Sequence, residues 1–219
     1  MFKYLFLMFV VVSAQSFCSE KSQTDWVKLF NETSFEGWQE YGGKHEFKVV
    51  EGMIVGTAVA KEPNGFLTTK ATYKDFELKF EVKVDYSLNS GCQIRSVPYG
   101  PIGHLKGPQV EISSAKSGFI YGEHMTKEDG KTRMGWLSPD IDSEKVEPKK
   151  SAFKHDQWNS FRILVKGGHY QTFVNGIKMT DFHFDKMMEA AHIGLQVHRS
   201  KGKVVGKSVR WKNLFIRSL

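Results

Sequence analysis

Between Asp75 and Asp85 the chain alternates without a slip. Phe76, Leu78, Phe80, Val82 and Val84 occupy one parity, and Glu77, Lys79, Glu81 and Lys83 the other. Successive side chains of an extended backbone point to opposite faces, so the pattern specifies a strand with one face on a core and the other toward water. Such a strand needs neighbours and a second layer. The chain supplies them: Trp26–Phe30, Phe47–Val50, Met53–Thr57, Gly65–Thr68, Cys92–Ser96, Gln109–Ser113, Phe119–Tyr121, Trp158–Lys166, Tyr170–Val174, Ile177–Thr180, His192–His198 and Ser208–Arg217 also read as extended. Asn175-Gly176 marks a tight hairpin, and Glu51-Gly52 a weaker turn. In the last strand Val209 and Trp211 lie on one parity and Leu214 and Ile216 on the other, so a bulge near Lys212–Asn213 would return all four to the core. Only Asp185–Ala191 reads as helix, about two turns. Many short strands with little helix predict an all-β sandwich or jelly roll of two antiparallel sheets. No internal repeat supports a propeller.

Composition narrows the class further. The 219 residues suit one domain, and 40% hydrophobic with 13% aromatic residues excludes a disordered chain. The net charge is +7, but the basic residues are scattered among acids rather than gathered on one face, which argues against nucleic acid as a partner. Two cysteines exclude a disulfide scaffold, and Cys92 is expected free and buried. Residues 1–14, MFKYLFLMFVVVSA, carry Lys3 and an apolar run from Tyr4 to Val12. That run falls short of the roughly 20 residues that cross a bilayer, but it has the form of a secretory leader. Cleavage is expected after Ala14, with Ser16 as the close alternative. This leaves 15–24 as a flexible segment and 25–219 as a single jelly-roll domain. The expected location is exported, periplasmic or extracellular. Lipid anchoring through Cys18 is disfavoured by the bulky Phe17 before it. No other segment approaches the length of a transmembrane helix.

Three strands carry an unusual polar parity. Gln93 and Arg95 oppose Cys92 and Ile94; Gln109 and Glu111 oppose Val110 and Ile112; Gln196 and His198 oppose Ile193, Leu195 and Val197. An ordinary wet face would favour Lys and Glu, whereas these pairs are rich in groups that bond directionally. A cleft built on them would have a donor fork in Arg95 and proton-transfer groups in Glu111 and His198. The bland alternative for each residue is an exposed face whose charges pair. Trp26, Trp38, Trp158 and Trp211 are expected to pack. Trp136, within an irregular stretch from Glu123 to Phe153, is expected to stack on a ligand. The chain has no His-Glu-x-x-His, no Gly-x-Ser-x-Gly and no phosphate loop.

A family resemblance emerges from the order of the motifs. WVKLFNETSFEGW, DFELKFEVKV, NSGCQIRS, GPQVEIS, SGFIYGE, MGWLSP, the long DQWNSFRILVKGGHYQTFVNGIKMTDF, IGLQVH and VRWKNLFIRSL span about Trp26 to Leu219. Together they resemble the 3-keto-disaccharide hydrolase family. Two departures are Glu32, where the family opening has Gly, and Ser113, where an Asp is usual; the second weakens metal binding there. The resemblance implies a concanavalin-A-like jelly roll and a carbohydrate substrate, a glycoside whose sugar bears a ketone at carbon 3. It maps its polar positions onto Asn89, Ser90, Gly91, Arg95, Gln109, Glu111, Tyr121, Trp136, Gln196 and His198.

A ketone at carbon 3 acidifies the hydrogen on carbon 2, so elimination of the group on carbon 1 followed by water addition would give net hydrolysis. His198 or Glu111 is expected as base, Arg95 as enolate stabiliser and Tyr121 as acid. Asn89, Gln93, Gln109, Gln196 and Trp136 are expected to hold the substrate. No cofactor is assigned; a divalent metal ion on Glu111 and His198 is an alternative source of positive charge. The competing reading is a non-catalytic glycan-binding module. Oligomeric state is left open.

Overall fold

The alternating segment forms the strand Phe76–Val84, and its five apolar side chains are at most 2% exposed. The computed structural model describes residues 25–112, 116–126, 132–139, 141 and 149–219. The leader-like start, the segment with Cys18, and Ser113 lie outside the described residues. Fifteen strands, numbered along the chain, make two antiparallel sheets among the described residues. The first sheet runs β13 (Ile177–His183), β12 (His169–Val174), β11 (Asn159–Lys166), β6 (Phe76–Val84), β15 (Ser208–Ser218), β4 (Met53–Thr57), β3 (Glu46–Val50), with β1 (Val27–Lys28) also on β15. The second runs β10 (Thr132–Trp136), β9 (Ile120–Thr126), β8 (His104–Ile112), β7 (Ser90–Tyr99), β14 (His192–Val197), β5 (Gly65–Thr69), β2 (Trp38–Gly42). Strands distant in sequence pair at the centre of each sheet, β6 with β15 and β7 with β14, which gives the crossovers of a jelly roll.

The apolar parities of both sheets meet in one core. Phe80 stacks on Phe161 at 5.3 Å between centroids, and Trp211 is wholly buried. Cys92 is free and buried, and burial pushes its thiol pKa up. Between the sheets at Gly56 of β4 a side chain has no room: a Cβ there would lie 2.5 Å from Val197 Cγ2 and 3.2 Å from Trp211 Cζ3. The register of β15 against β6 shifts between Lys212 and Phe215, with Asn213 at φ +53°. The bulge keeps Val209, Trp211, Leu214 and Ile216 all inside, as the sequence required.

Other expectations need correction. Asp185–Ala191 forms no helix, because Met187 takes φ +59° and Ala191 is drawn into a β-bridge with Tyr73. The stretch from Glu123 to Phe153, expected to be irregular, contains the end of β9 and all of β10, which pair as a hairpin. β2, absent from the sequence reading, carries no aliphatic alternation and is fixed by pairing with β5. Glu77 is not on a wet face but 2% exposed, where it accepts from Arg162 and, at 2.7 Å, from Arg217 Nε.

One hairpin leaves its sheet. The β7–β8 register breaks between Gln93 and Val97, where Arg95 takes φ +44°. Beyond the break, residues 97–106 fold back over the sheet's outer face. Leu105 Cδ1 sits 2.6 Å from where a Cβ of Gly194 would be, and the tip reaches β2, whose Gly42 N–H donates to Ile102 O at 3.1 Å. A side chain at 194 would require the end of Leu105 to shift.

Gly56→Ala should lower the melting temperature. Overpacking a tight core typically costs about 1–3 kcal/mol, roughly 2–10 °C for a domain of this size. An unchanged melting curve would contradict the close sheet-to-sheet contact.

Candidate functional site

The outer face of the second sheet should be wet, yet Gln93, Gln109 and Gln196 are at most 2% exposed there. They bond to one another, although Gln196 Oε1 is left without a partner. Gln93 Nε2 and Gln196 Nε2 both donate to Gln109 Oε1, at 3.0 and 2.8 Å, and Gln109 Nε2 donates to Glu111 Oε2 at 3.0 Å. Asn89 Nδ2 donates to Glu111 Oε1, and Ser96 Oγ to Gln93 Oε1 at 2.6 Å. Space for this layer comes from Gly91, where a Cβ would lie 2.5 Å from Gln109 Cδ. The amides are oriented in series, with N–H groups directed at the Glu111 carboxylate. These bonds fix the position of the Glu111 carboxyl at the floor of the hollow.

Above this floor lies a hollow of about 390 Å³, within the range of small-molecule sites. Asn89, Gln109 and Glu111 form its base; Tyr121 and Trp136 form an aromatic wall; His198 stands opposite on the far side of β7. The two rings meet edge to face at 5.1 Å, and Lys116 Nζ lies 4.8 Å from the Trp136 centroid. An aromatic pair of this kind offers a face to the C–H side of a sugar.

The structure therefore gathers Asn89, Gln109, Glu111, Tyr121, Trp136 and His198 into one hollow and places Gln93 and Gln196 beneath it as supports. It does not bring Arg95 there. The positive φ at the register break turns that side chain away, and it is wholly buried. Arg95 Nη2 donates to Asp75 Oδ1 at 2.9 Å, Nη1 to Gly167 O at 2.8 Å, and Nε to Lys74 O at 2.5 Å. The site role expected for Arg95 is corrected to a structural one, clamping two loops.

Three lining residues were missed: Asn64, Glu123 and Arg199. Glu123 shares the parity of Tyr121, so a longer β9 would have revealed it. Asn64 and Arg199 come together only in the fold, through the Arg199 N–H donating to Asn64 Oδ1 at 2.8 Å.

The titration of the hollow is divided between its two sides. Burial, and then repulsion from Glu111, raise the Glu123 carboxyl to about 7. Burial also raises the Tyr121 phenol, helped by Glu123 and Glu111. Burial lowers His198, against the opposing bond to Arg199 O. That carbonyl lies 3.1 Å from His198 Nδ1 and can only accept, so Nδ1 carries the proton and Nε2 is the acceptor of the neutral ring. Near neutral pH the site thus has a protonated acid in Glu123 and a neutral base in His198, facing each other across about three strand spacings, ~14 Å of backbone.

A family model described as the 3-keto-alpha-glucoside-1,2-lyase-like domain matches residues 25–217. The chain belongs to this family. No curated protein matches it. Among solved structures, a Parabacteroides distasonis protein provisionally named a glycosyl hydrolase is 22% identical, with a TM-score of 0.60 over 89% of this chain and 94% of that one. A Bacillus subtilis protein of galectin-like fold gives 10% identity and 0.59, over 89% and 94%. The carbohydrate-binding module CBM66 of Bacillus subtilis gives 13% and 0.53, over 83% and 96%. At these identities the likeness is one of fold, and it fixes the jelly-roll class of the lyase-like domain.

Among the described residues of this lyase-like domain, no group of three or more His, Cys, Asp or Glu side chains is arranged to hold a metal ion. Glu111, Glu123 and His198 all line the hollow, but among the described residues they do not come together as such a group.

The raised Glu123 pKa also predicts how stability changes with pH. The unfolded group titrates near 4.5 and the folded one near 7, so the native state holds the extra proton between these values. The contribution is complete below about pH 4.5 and lost as pH rises through 7, up to roughly 3 kcal/mol. Melting temperature should fall between pH 5 and 8, and Glu123→Gln should flatten that fall. Equal slopes in the two proteins would refute the burial of Glu123.

Proposed function

We propose that this lyase-like domain cleaves glycosides whose sugar is oxidised to a ketone at carbon 3, by elimination across carbons 1 and 2. The observation that supports the reading best is the opposed pair, Glu123 kept protonated to about pH 7 and His198 kept neutral, over a carboxylate fixed by Asn89 and Gln109. Environments that push titratable groups apart divide acid from base.

In this mechanism His198 Nε2 removes the proton on carbon 2. The electron pair moves onto the carbon 3 oxygen as an enolate, and Arg199, next to His198 in the hollow's lining, supplies the positive charge that Arg95 was expected to supply. The enolate then collapses, the bond from carbon 1 to the leaving oxygen breaks with its pair, and Glu123 gives that oxygen its proton. The product is an unsaturated ketone; adding water across its double bond completes net hydrolysis. Glu111 and Asn89 hold sugar hydroxyls while Tyr121 and Trp136 cover the ring face. The leader-like start would place this chemistry outside the cytoplasm.

The aromatic wall would also suit a module that binds sugar without cleaving it. A chromogenic 3-keto-glucoside and the matching ordinary glucoside separate the two readings. Release of the chromogen from the keto compound alone is expected; binding without release would favour the module. His198→Ala and Glu123→Gln should each lower kcat about 100-fold or more, and normal rates in both would remove the assignment. The rate should peak between the lowered His198 pKa and the Glu123 pKa near 7. Glu123→Gln should abolish the alkaline limb, because the amide has no proton to lose.

A further inference from the structure

The outer face of the first sheet carries the polar parity of β6, yet four aromatic rings stand on it. Trp26, Trp158, Phe173 and Phe215 are half-buried and lie outside the shared core. Each has a cation beside it. Lys79 Nζ lies 4.1 Å from the Trp26 centroid and 5.2 Å from that of Phe215, and Lys212 Nζ lies 4.2 Å from that of Trp158. Arg162 Cζ lies 4.8 Å from the Phe173 centroid, and Arg217 Cζ 5.0 Å from that of Trp26. The two acids among them are committed. Glu77 accepts from Arg162 and Arg217, and Glu81 accepts from Asn213 Nδ2 at 2.6 Å with Lys212 Nζ at 3.4 Å. Lys79 is left over: it touches rings, and among the described residues it forms no ion pair.

The strand register sets that ammonium at a hollow. Lys79 pairs with Arg162 on β11 and with Phe215 on β15, while Glu81 pairs with Ser160 and with Lys212. The bulge of β15 falls between Lys212 and Phe215 and carries Asn213. A hollow of about 330 Å³ opens there, its walls including Lys79, Glu81, Ser160, Asn213 and Phe215. An ammonium, a hydroxyl, an amide and a ring therefore border one space. Four cations, Lys79, Arg162, Lys212 and Arg217, stand against Glu77 and Glu81, so the face keeps a surplus of positive charge.

We propose that this face is a second binding site, for a carbohydrate chain that bears carboxylates, with one ring of the chain seated in the hollow. Phe215 takes the apolar face of that ring, Ser160 and Asn213 take its hydroxyls, and Lys79 takes its carboxylate. The surplus of positive charge matches an anionic chain. An acidic peptide fits less well. Extended peptides gain affinity by adding a strand at a sheet edge, whereas β11, β6 and β15 are interior strands already paired on both sides. The two sites face away from each other across two sheets about 10 Å apart, so one can be filled while the other is at work. The inference does not depend on the cleavage reaction: it gives the protein a hold on an acidic polysaccharide, apart from whatever ring the other hollow takes.

Calorimetry on the full chain tests this with polygalacturonate, its methyl-esterified form and polyglutamate. Wild type should bind polygalacturonate about tenfold or more tightly than either of the others. Loss of a hydrogen bond to a charged group corresponds to about a tenfold change or more, so Lys79→Gln should weaken binding by that factor. Phe215→Ala should weaken it several-fold. Trp136→Ala, on the other sheet, should leave it unchanged. Lys79 is half-exposed, so Lys79→Gln should keep the wild-type melting curve and carry the test even if Phe215→Ala does not fold. Absence of binding in wild type, an affinity that survives Lys79→Gln, or a loss in Trp136→Ala overturns the site. Equal binding of polyglutamate overturns the sugar assignment. If the face were instead a seam between two copies, sedimentation would show a dimer that Lys79→Glu dissolves and polygalacturonate does not, and that result overturns the proposal too.

Discussion

Gln109 commits its whole side-chain amide to three neighbours, and the arrangement of the site follows from that. Its oxygen accepts from Gln93 and Gln196, and its nitrogen donates to Glu111, so one residue ties β7, β8 and β14 on the outer face. Buried amides are costly unless paired, and partial pairing is worse than none. The layer therefore exists as a unit: Gly91 makes room for it, Ser96 closes one end and the Glu111 carboxylate the other. A carboxylate set in this way cannot swing, and the groups around it acquire fixed geometry in turn.

The same burial that rigidifies the floor tunes its rim. Glu123 and Glu111 share one hollow, and Asn89 and Gln109 donate to Glu111. Burial, and then repulsion from Glu111, raise the Glu123 carboxyl. His198 feels the opposite pressure from the same burial and gives up its proton. One environment thus makes an acid of a carboxyl and a base of an imidazole, and the condition for both lies near neutrality.

The alternation of β6 and the phase change in β15 were legible in the sequence because periodicity of two is a local property, and both appear in the fold. The polar parities were legible for the same reason, which is why Gln109, Glu111, Gln196 and His198 could be placed on one face in advance. Arg95 could not. Its position depends on a left-handed residue within β7, and no glycine or asparagine announces it. Asp185–Ala191 misled because local helical character yielded to a bridge with a residue over a hundred positions away. Asn64 and Arg199 are joined by a backbone–side-chain bond across two loops, a relation that no spacing along the chain encodes. Alternation gives the faces, whereas the breaks in it decide which side chains leave them.

The folded-back hairpin has a consequence for the molecule as a solute. β2 is the last strand of its sheet, and an outermost strand offers unpaired N–H and C=O groups to any other chain that comes alongside. Gly42 N–H points outward at that border and is already taken by Ile102 O. Residues 97–106 thus occupy one of the backbone donors to which an added strand would pair.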